Sequence, residues 1–153
     1  MDNRSHRRTR KFYQDQVKEI LGLIEKKFKD GQLSYDSYID LCEQRGVEPD
    51  LTELPPITDD FPSEIQVAFL LHDLLPDRWD GMSGSYLGKD FSCLGTLLDT
   101  WEVDDKKTCI YYIKHIEAHN SNKINKEMER KRKASENKAK AGSSRASGIN
   151  VKG

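Results

Sequence analysis

The segment "PSEIQVAFLLHDLL", residues 62–75, constrains the fold more than any other stretch of the chain. Ile65, Val67, Ala68, Phe69, Leu70, Leu71, Leu74 and Leu75 leave it apolar nearly all round. A helix with so wide an apolar surface has to be covered on several sides, which predicts a central helix with other elements packed about it. Pro62 suits the first turn of that helix and Pro76 closes it. The segment falls short of the roughly 20 apolar residues that a bilayer-spanning helix needs. The basic start, "MDNRSHRRTRKF", lacks the apolar run of a secretory signal.

The flanking segments show helical periodicity. Val17, Ile20, Leu21, Ile24 and Phe28 recur at spacings of three and four, and Asp30-Gly31 follows as a stop. Ser34 is placed to cap a second helix whose face carries Tyr35, Tyr38, Ile39 and Cys42, with Gly46 at its end. Pro49, Pro55, Pro56 and Pro62 mark the stretch between them and the central helix as an extended linker. Beyond the glycine-rich "WDGMSGSYLGKD", residues 79–90, Asp90 or Ser92 is positioned to cap a short helix with Phe91, Leu94, Leu97, Leu98 and Trp101. Asp104 and Asp105 then open a long helix that buries Cys109, Tyr112, Ile113 and Ile116. The predicted fold class is all-α. It comprises a flexible basic arm (1–11), a helical hairpin (12–46), a proline-rich linker (47–61), a compact three-helix unit (62–122) and a basic tail (123–153) that starts helical and frays into disorder.

Charge is distributed unevenly. Arg4, Arg7, Arg8, Arg10 and Lys11 face a single acid, Asp2, in the first 12 residues, and ten basic residues face three glutamates from Lys123 onward. The middle holds ten basic and 22 acidic residues. An acidic body with basic ends fits a polyanion-binding role for the two arms. The residues that would carry it are the five N-terminal cations with Arg130, Lys131, Arg132 and Lys133. The interleaved glutamates and the lack of aromatic residues in the tail also fit a solvated charged helix. Cys42, Cys93 and Cys109 lie far apart without metal-type or disulfide-framework spacing, which predicts buried free thiols in a reducing, cytoplasmic setting.

Motifs of chemistry are incomplete. A phosphate loop needs G-x-x-x-x-G-K-[ST] after a strand. Gly84-Ser85-Tyr86-Leu87-Gly88-Lys89-Asp90 has one residue too few, an acid in place of the hydroxyl, and a proline-ended helix before it. His72-Asp73 is the pair used by metal-dependent phosphohydrolases of the HD type, but His6 is the one histidine upstream. His115 and His119 share a helix face, yet Glu117 is two residues past the first rather than one, which directs it to the opposite side from the zinc-helix pattern. Ser83 and Ser85 do not form a nucleophile elbow. The sequence therefore predicts no enzyme, no metal and no cofactor.

From Leu54 to about Ala118 the order of features resembles the small tail assembly chaperones of long-tailed bacteriophages. The matching features are Leu54-Pro55-Pro56, the Phe69-Leu70-Leu71 helix, Gly81-Met82-Ser83-Gly84, the Leu94–Leu98 helix and Trp101-Glu102 opening a last helix. The acidic N-terminal hairpin and the basic tail depart from that pattern. The resemblance implies a non-catalytic chaperone or adaptor, acting in the host cytoplasm, that binds an aggregation-prone helical protein. It also implies that the glycine-rich connector is a hinge on which Trp79, Met82, Tyr86 and Leu87, with Trp101, present a docking surface to a helical partner.

Overall fold

A computed structural model describes the backbone of residues 3–146, apart from residues 30, 51 and 53, and the side chains of 13–140 with the same exceptions. Five α-helices, one 3₁₀ turn and one small antiparallel sheet make up the described part. They are α1 (Asn3–Lys27), α2 (Tyr35–Arg45), the 3₁₀ turn (Thr58–Asp60), α3 (Ser63–Leu74), β1 (Asp77–Trp79), β2 (Tyr86–Lys89), α4 (Leu94–Thr100) and α5 (Lys106–Ala146). The chain is thus mostly helical, as its periodicity predicts. The all-α expectation needs one correction, because the glycine-rich connector is a β-hairpin.

The central-helix expectation is met by α3, which packs on α5, α4 and the 3₁₀ turn. Ile65, Ala68, Phe69 and Leu71 on α3 join Leu94 and Leu98 on α4 and Cys109, Tyr112, Ile113 and Ile116 on α5 in one core. Burying each such aliphatic side chain stabilises the fold by about 1.5–3 kcal/mol before conformational entropy is counted. The apolar girdle of α3 is not complete, since Leu70 and Leu74, one helical turn apart, remain half exposed. α1 packs on α5 and inserts Ile24 fully into the same core, with Ile20, Leu21, Leu23 and Phe28 at its margin. The first helix is therefore part of the body.

Local capping explains the element boundaries. The Ser34 side chain accepts from Ser37 N–H at 3.2 Å, and Gly46 closes α2. Asp105 Oδ1 accepts from Thr108 N–H at 3.0 Å while its Oδ2 accepts from the Thr108 hydroxyl at 2.6 Å, capping α5. Three boundaries differ from expectation. Pro62 takes the cap position of α3 in an extended conformation, one residue outside the first turn. Asp90 turns the chain by accepting from Ser92 N–H at 2.9 Å, and α4 begins after Cys93 without a side-chain cap. Trp101-Glu102 closes α4, where Glu102 adopts φ 49°, and does not open the last helix.

The proline segment is anchored. Leu54, Pro56 and Phe61 are buried, Phe61 meets Phe69 edge-on at 5.1 Å, and Asp60 Oδ2 accepts from Ile57 N–H at 2.9 Å. Lys26 and Lys27, in the last turn of α1, donate to the carbonyls of Thr52 at 2.8 Å and Pro56 at 3.1 Å. The free thiols of Cys42 and Cys109 are buried as expected, while Cys93 is partly exposed. α1 starts at Asn3, within the segment expected to be a flexible arm, and the side chains of Arg4, Arg7, Arg8, Arg10 and Lys11 lie outside the described residues. The fraying expected at the end of the tail falls on residues 147–153, also outside them. Among the described residues no helix is long and apolar enough to cross a membrane.

The left-handed backbone at Glu102 costs about 1–2 kcal/mol in a residue with a Cβ. Glu102→Gly is accordingly expected to raise the unfolding free energy by up to about 1 kcal/mol, after the added chain entropy of glycine is subtracted. Urea titration is the check. Ile113→Ala in the same assay should lower stability by about 2–5 kcal/mol.

Candidate docking hairpin and its buried clamp

The sheet pairs Asp77 with Lys89, Arg78 with Gly88 and Trp79 with Tyr86. One step along β1 thus matches two along β2, and Leu87 is the extra residue of a bulge. Strand alternation puts Tyr86 and Gly88 on the inward face and leaves Leu87, between them, half exposed. Trp79 and Tyr86 form a cross-strand edge-to-face pair with ring centroids 4.9 Å apart.

At the tip, Asp80 organises the turn. Its Oδ1 accepts from Met82 N–H at 3.0 Å, Ser83 N–H at 2.6 Å and the Ser83 hydroxyl at 2.8 Å. Its backbone N–H donates to Ser85 O at 2.8 Å and its carbonyl accepts from Gly84 N–H at 2.9 Å. These hydrogen bonds hold the Asp80 carboxyl below the ordinary carboxylate range, the Ser83 backbone donor contributing most. The turn is therefore ordered, yet it leaves the Met82 side chain fully exposed at 100%. Trp79 and Leu87 are about half exposed on the adjoining strands.

The base of the hairpin is held by a buried carboxylate. Glu117 Oε2 accepts from His72 Nε2–H at 2.5 Å, joining α5 to α3. Its Oε1 accepts from the backbone N–H of Lys89 at 3.1 Å and from the Ser121 hydroxyl at 2.5 Å. One side chain thereby ties two helices and a strand together. Gly88, next to the clamped amide, has φ +95°, and a Cβ placed there would lie 2.8 Å from Glu117 Oε1. A second tether runs through Asp77, whose Oδ1 accepts from the Tyr86 hydroxyl at 2.9 Å and lies 2.9 Å from Lys89 Nζ. Asn125 adds a 3.3 Å hydrogen bond from its Nδ2 to Tyr86 O. Burial first, then the Asp77 hydrogen bond, pushes the Tyr86 phenol well above its ordinary value of 10.0.

Of the side chains predicted to dock a partner, Trp79, Met82 and Leu87 are each exposed on the hairpin, Trp79 with its ring against Tyr86. Tyr86 is a correction, being only 3% exposed and used to pack the hairpin onto the body. Trp101 is partly exposed but stands at the end of α4, on another element. Arg130, Lys131, Arg132 and Lys133 are exposed along α5, where Lys133 lies 2.7 Å from Glu129 and Arg132 3.9 Å from Glu136. The two helical histidines do not converge. His115 meets the Tyr111 ring and His119 stacks near-parallel on Phe28. No cluster of three metal-ligating side chains occurs among the described residues.

Glu117 is the residue whose role sequence reasoning missed. The spacing sets it on the opposite side of α5 from the expected zinc-helix position without saying what it meets there. It lies four positions after Ile113 and one after Ile116, on the buried stripe itself. His72 occupies the equivalent place on α3, three after Phe69 and four after Ala68. A polar residue at a core position on each of two packed helices was the available signal. No family model, curated protein or solved structure matches the chain.

Two predictions follow from the clamp. Gly88→Ala adds a contact with Glu117 to the backbone cost, whereas Gly84→Ala, at φ +66° with open space around it, carries the backbone cost alone. Gly88→Ala should therefore lose more stability than Gly84→Ala, the latter costing about 1–2 kcal/mol, as read by thermal or urea unfolding. The raised Tyr86 pKa gives stability that is fully present below pH 10.0 and is lost as pH rises beyond it, because the unfolded phenol releases its proton first. Tyr86→Phe should flatten the alkaline limb of the stability–pH curve above pH 10.0, measured against the native chain.

Proposed function

We propose that this protein is a non-catalytic binding module, an adaptor or assembly chaperone, that engages a helical partner protein with the tip of its β-hairpin. The observation that supports this reading is the contrast within the hairpin between an ordered turn and an unburied apolar tip. Asp80 fixes the turn with three hydrogen bonds to one carboxylate oxygen, yet Met82 is 100% exposed. An apolar side chain held out on a rigid support loses little entropy when it is covered by a partner. Methionine is adaptable enough to fit an imperfect apolar groove, and tryptophan is a frequent energetic anchor of interfaces. Leu87, half exposed on β2, adds a further apolar side chain to the hairpin.

The internal chemistry agrees with a binding role. The oxygens of Glu117 are occupied in joining α3, α5 and β2. The partner most in keeping with Trp79, Met82 and Leu87 is the apolar face of an amphipathic helix, which presents grooves between residues three and four apart. The tail assembly chaperones resembled by residues 54–118 handle such a helical client, and we extend that role to this chain.

The test is co-purification of the full-length protein with its partner in the presence of nuclease and raised salt. Met82→Ser has no intramolecular contact to lose, so it should leave stability unchanged within about 0.5 kcal/mol. Together with Trp79→Ala and Leu87→Ser it should weaken partner capture at least tenfold, as hot-spot truncations of about 2 kcal/mol each imply. Undiminished capture by the triple variant would reject the hairpin as the docking element. Capture that disappears with nuclease alone would reject a protein partner.

A further inference from the structure

A second surface differs in chemistry from the hairpin. Between the C-terminal turns of α1 and the middle of α5 lies a cleft of about 600 Å³. Lys26 and Lys29 line it from one side and Lys123 and Lys126 from the other, with Phe28 and His119 between them. Glu25 is the one acid in the lining. This collection of cations stands in a body whose middle residues are predominantly acidic.

Helix dipoles account for only half of it. Lysines in the last turn of α1 are favoured by the carbonyl end of that helix, but Lys123 and Lys126 lie well inside a helix of 41 residues, where that effect has vanished. Lys26 is engaged with the Thr52 carbonyl at 2.8 Å, while Lys29 and Lys123 line the cleft from opposite sides. The gathered charge is felt locally. Burial lowers the Lys27 pKa first, nearby Asp60 and Asp73 oppose that, and Lys123 adds repulsion. Like charges placed across a cleft cost free energy that a bound anion would recover.

The form of the cationic surface selects among anions. His119, Lys123, Lys126, Arg130 and Lys133 follow one another along α5 in steps of four and three, so they share one face. That face spans about 21 Å at the helical rise of 1.5 Å per residue, a length suited to an extended polyanion and not to a single phosphate. Its outer end is weaker, since Lys133 lies 2.7 Å from Glu129. At its inner end the rings of Phe28 and His119 stack at an interplanar angle of 10°, with centroids 6.4 Å apart. Flat rings beside a row of cations match the bases and phosphates of an unpaired strand.

We propose that this cleft, continued along the Lys123–Lys126–Arg130 face of α5, binds the phosphate backbone of single-stranded nucleic acid. The site is independent of the docking hairpin and of the role assigned to it. It sets Lys26 and Lys29, at the end of α1, against the first cations of the basic tail, a pairing that the charge pattern of the sequence does not show.

The experiment is fluorescence anisotropy of the full-length protein with a labelled single-stranded oligothymidine of about 20 nucleotides, at several salt concentrations from about 50 mM upward. The charge reversal Lys29→Glu with Lys123→Glu is compared with Lys18→Glu with Lys107→Glu, which makes the same change in net charge beside the other α1–α5 cleft. Unchanged circular dichroism establishes that both variants are folded. The cleft variant is expected to lose at least about tenfold in affinity, with the salt slope reduced by about 1.4, and the control variant less than about threefold. Equal losses in the two variants, no binding by the native protein at the lowest salt, or equally tight binding of labelled polyglutamate would each overturn the proposal.

Discussion

The carboxylate of Glu117 is the interaction on which the arrangement of this protein depends. It receives a hydrogen bond from a ring nitrogen of α3, a main-chain amide of β2 and a hydroxyl one turn further along α5. An unpaired carboxylate in this position would be strongly destabilising, and three donors are what make its burial tolerable. Removing His72 leaves Glu117 Oε2 without its buried partner, and removing Glu117 leaves the His72 ring nitrogen without one, a loss of about 1–3 kcal/mol for each buried group left unsatisfied. The 3.4 Å separation between His72 Nδ1 and the exposed Asp73 is too long and too wet to substitute for that pairing. Gly88 belongs to the same arrangement, because only a residue without a Cβ lets β2 come so close to the carboxylate.

The clamp joins the hairpin to a helical body whose apolar core does not include it. The helices bury a common apolar core, and α1 and the proline segment close over it through Ile24, Phe61 and the lysine contacts to Thr52 and Pro56. The hairpin lies outside that core cluster, with Tyr86 as its buried aromatic side chain. Two short strands are marginal by themselves in water. Fixed at the base by Glu117 and Asp77, and at the tip by Asp80, the hairpin becomes a rigid projection whose free apolar side chains are Trp79, Met82 and Leu87.

The helical body was legible in the sequence because its signals are local and repeated. Ser34, Gly46 and Asp105 act at helix ends as their chemistry dictates, and the Cys109–Ile113–Ile116 stripe is buried as its spacing requires. The hairpin was not legible. Strands of three and four residues are too short for alternation to stand out, and the inward position after Tyr86 is a glycine, which carries no apolar signal. Its glycines read as a hinge, although the main-chain and Asp80 hydrogen bonds make the same segment an ordered turn. The pairing of Glu117 with His72 spans 45 positions, a separation at which only the packing of α3 on α5 brings them together. The lysine cleft escaped for the same reason, since Lys29 and Lys123 become neighbours only when α1 lies on α5.

Amide hydrogen exchange in the native protein and in Glu117→Ala measures the central claim directly. The account predicts that in the native chain the Lys89 amide exchanges nearly as slowly as the amides of α3. It further predicts that in Glu117→Ala protection across residues 77–90 falls by at least about tenfold more than protection in α3, as a locally released hairpin requires. Equal loss in both regions would show that Glu117 serves only global stability, and unchanged protection of Lys89 would contradict the clamp altogether.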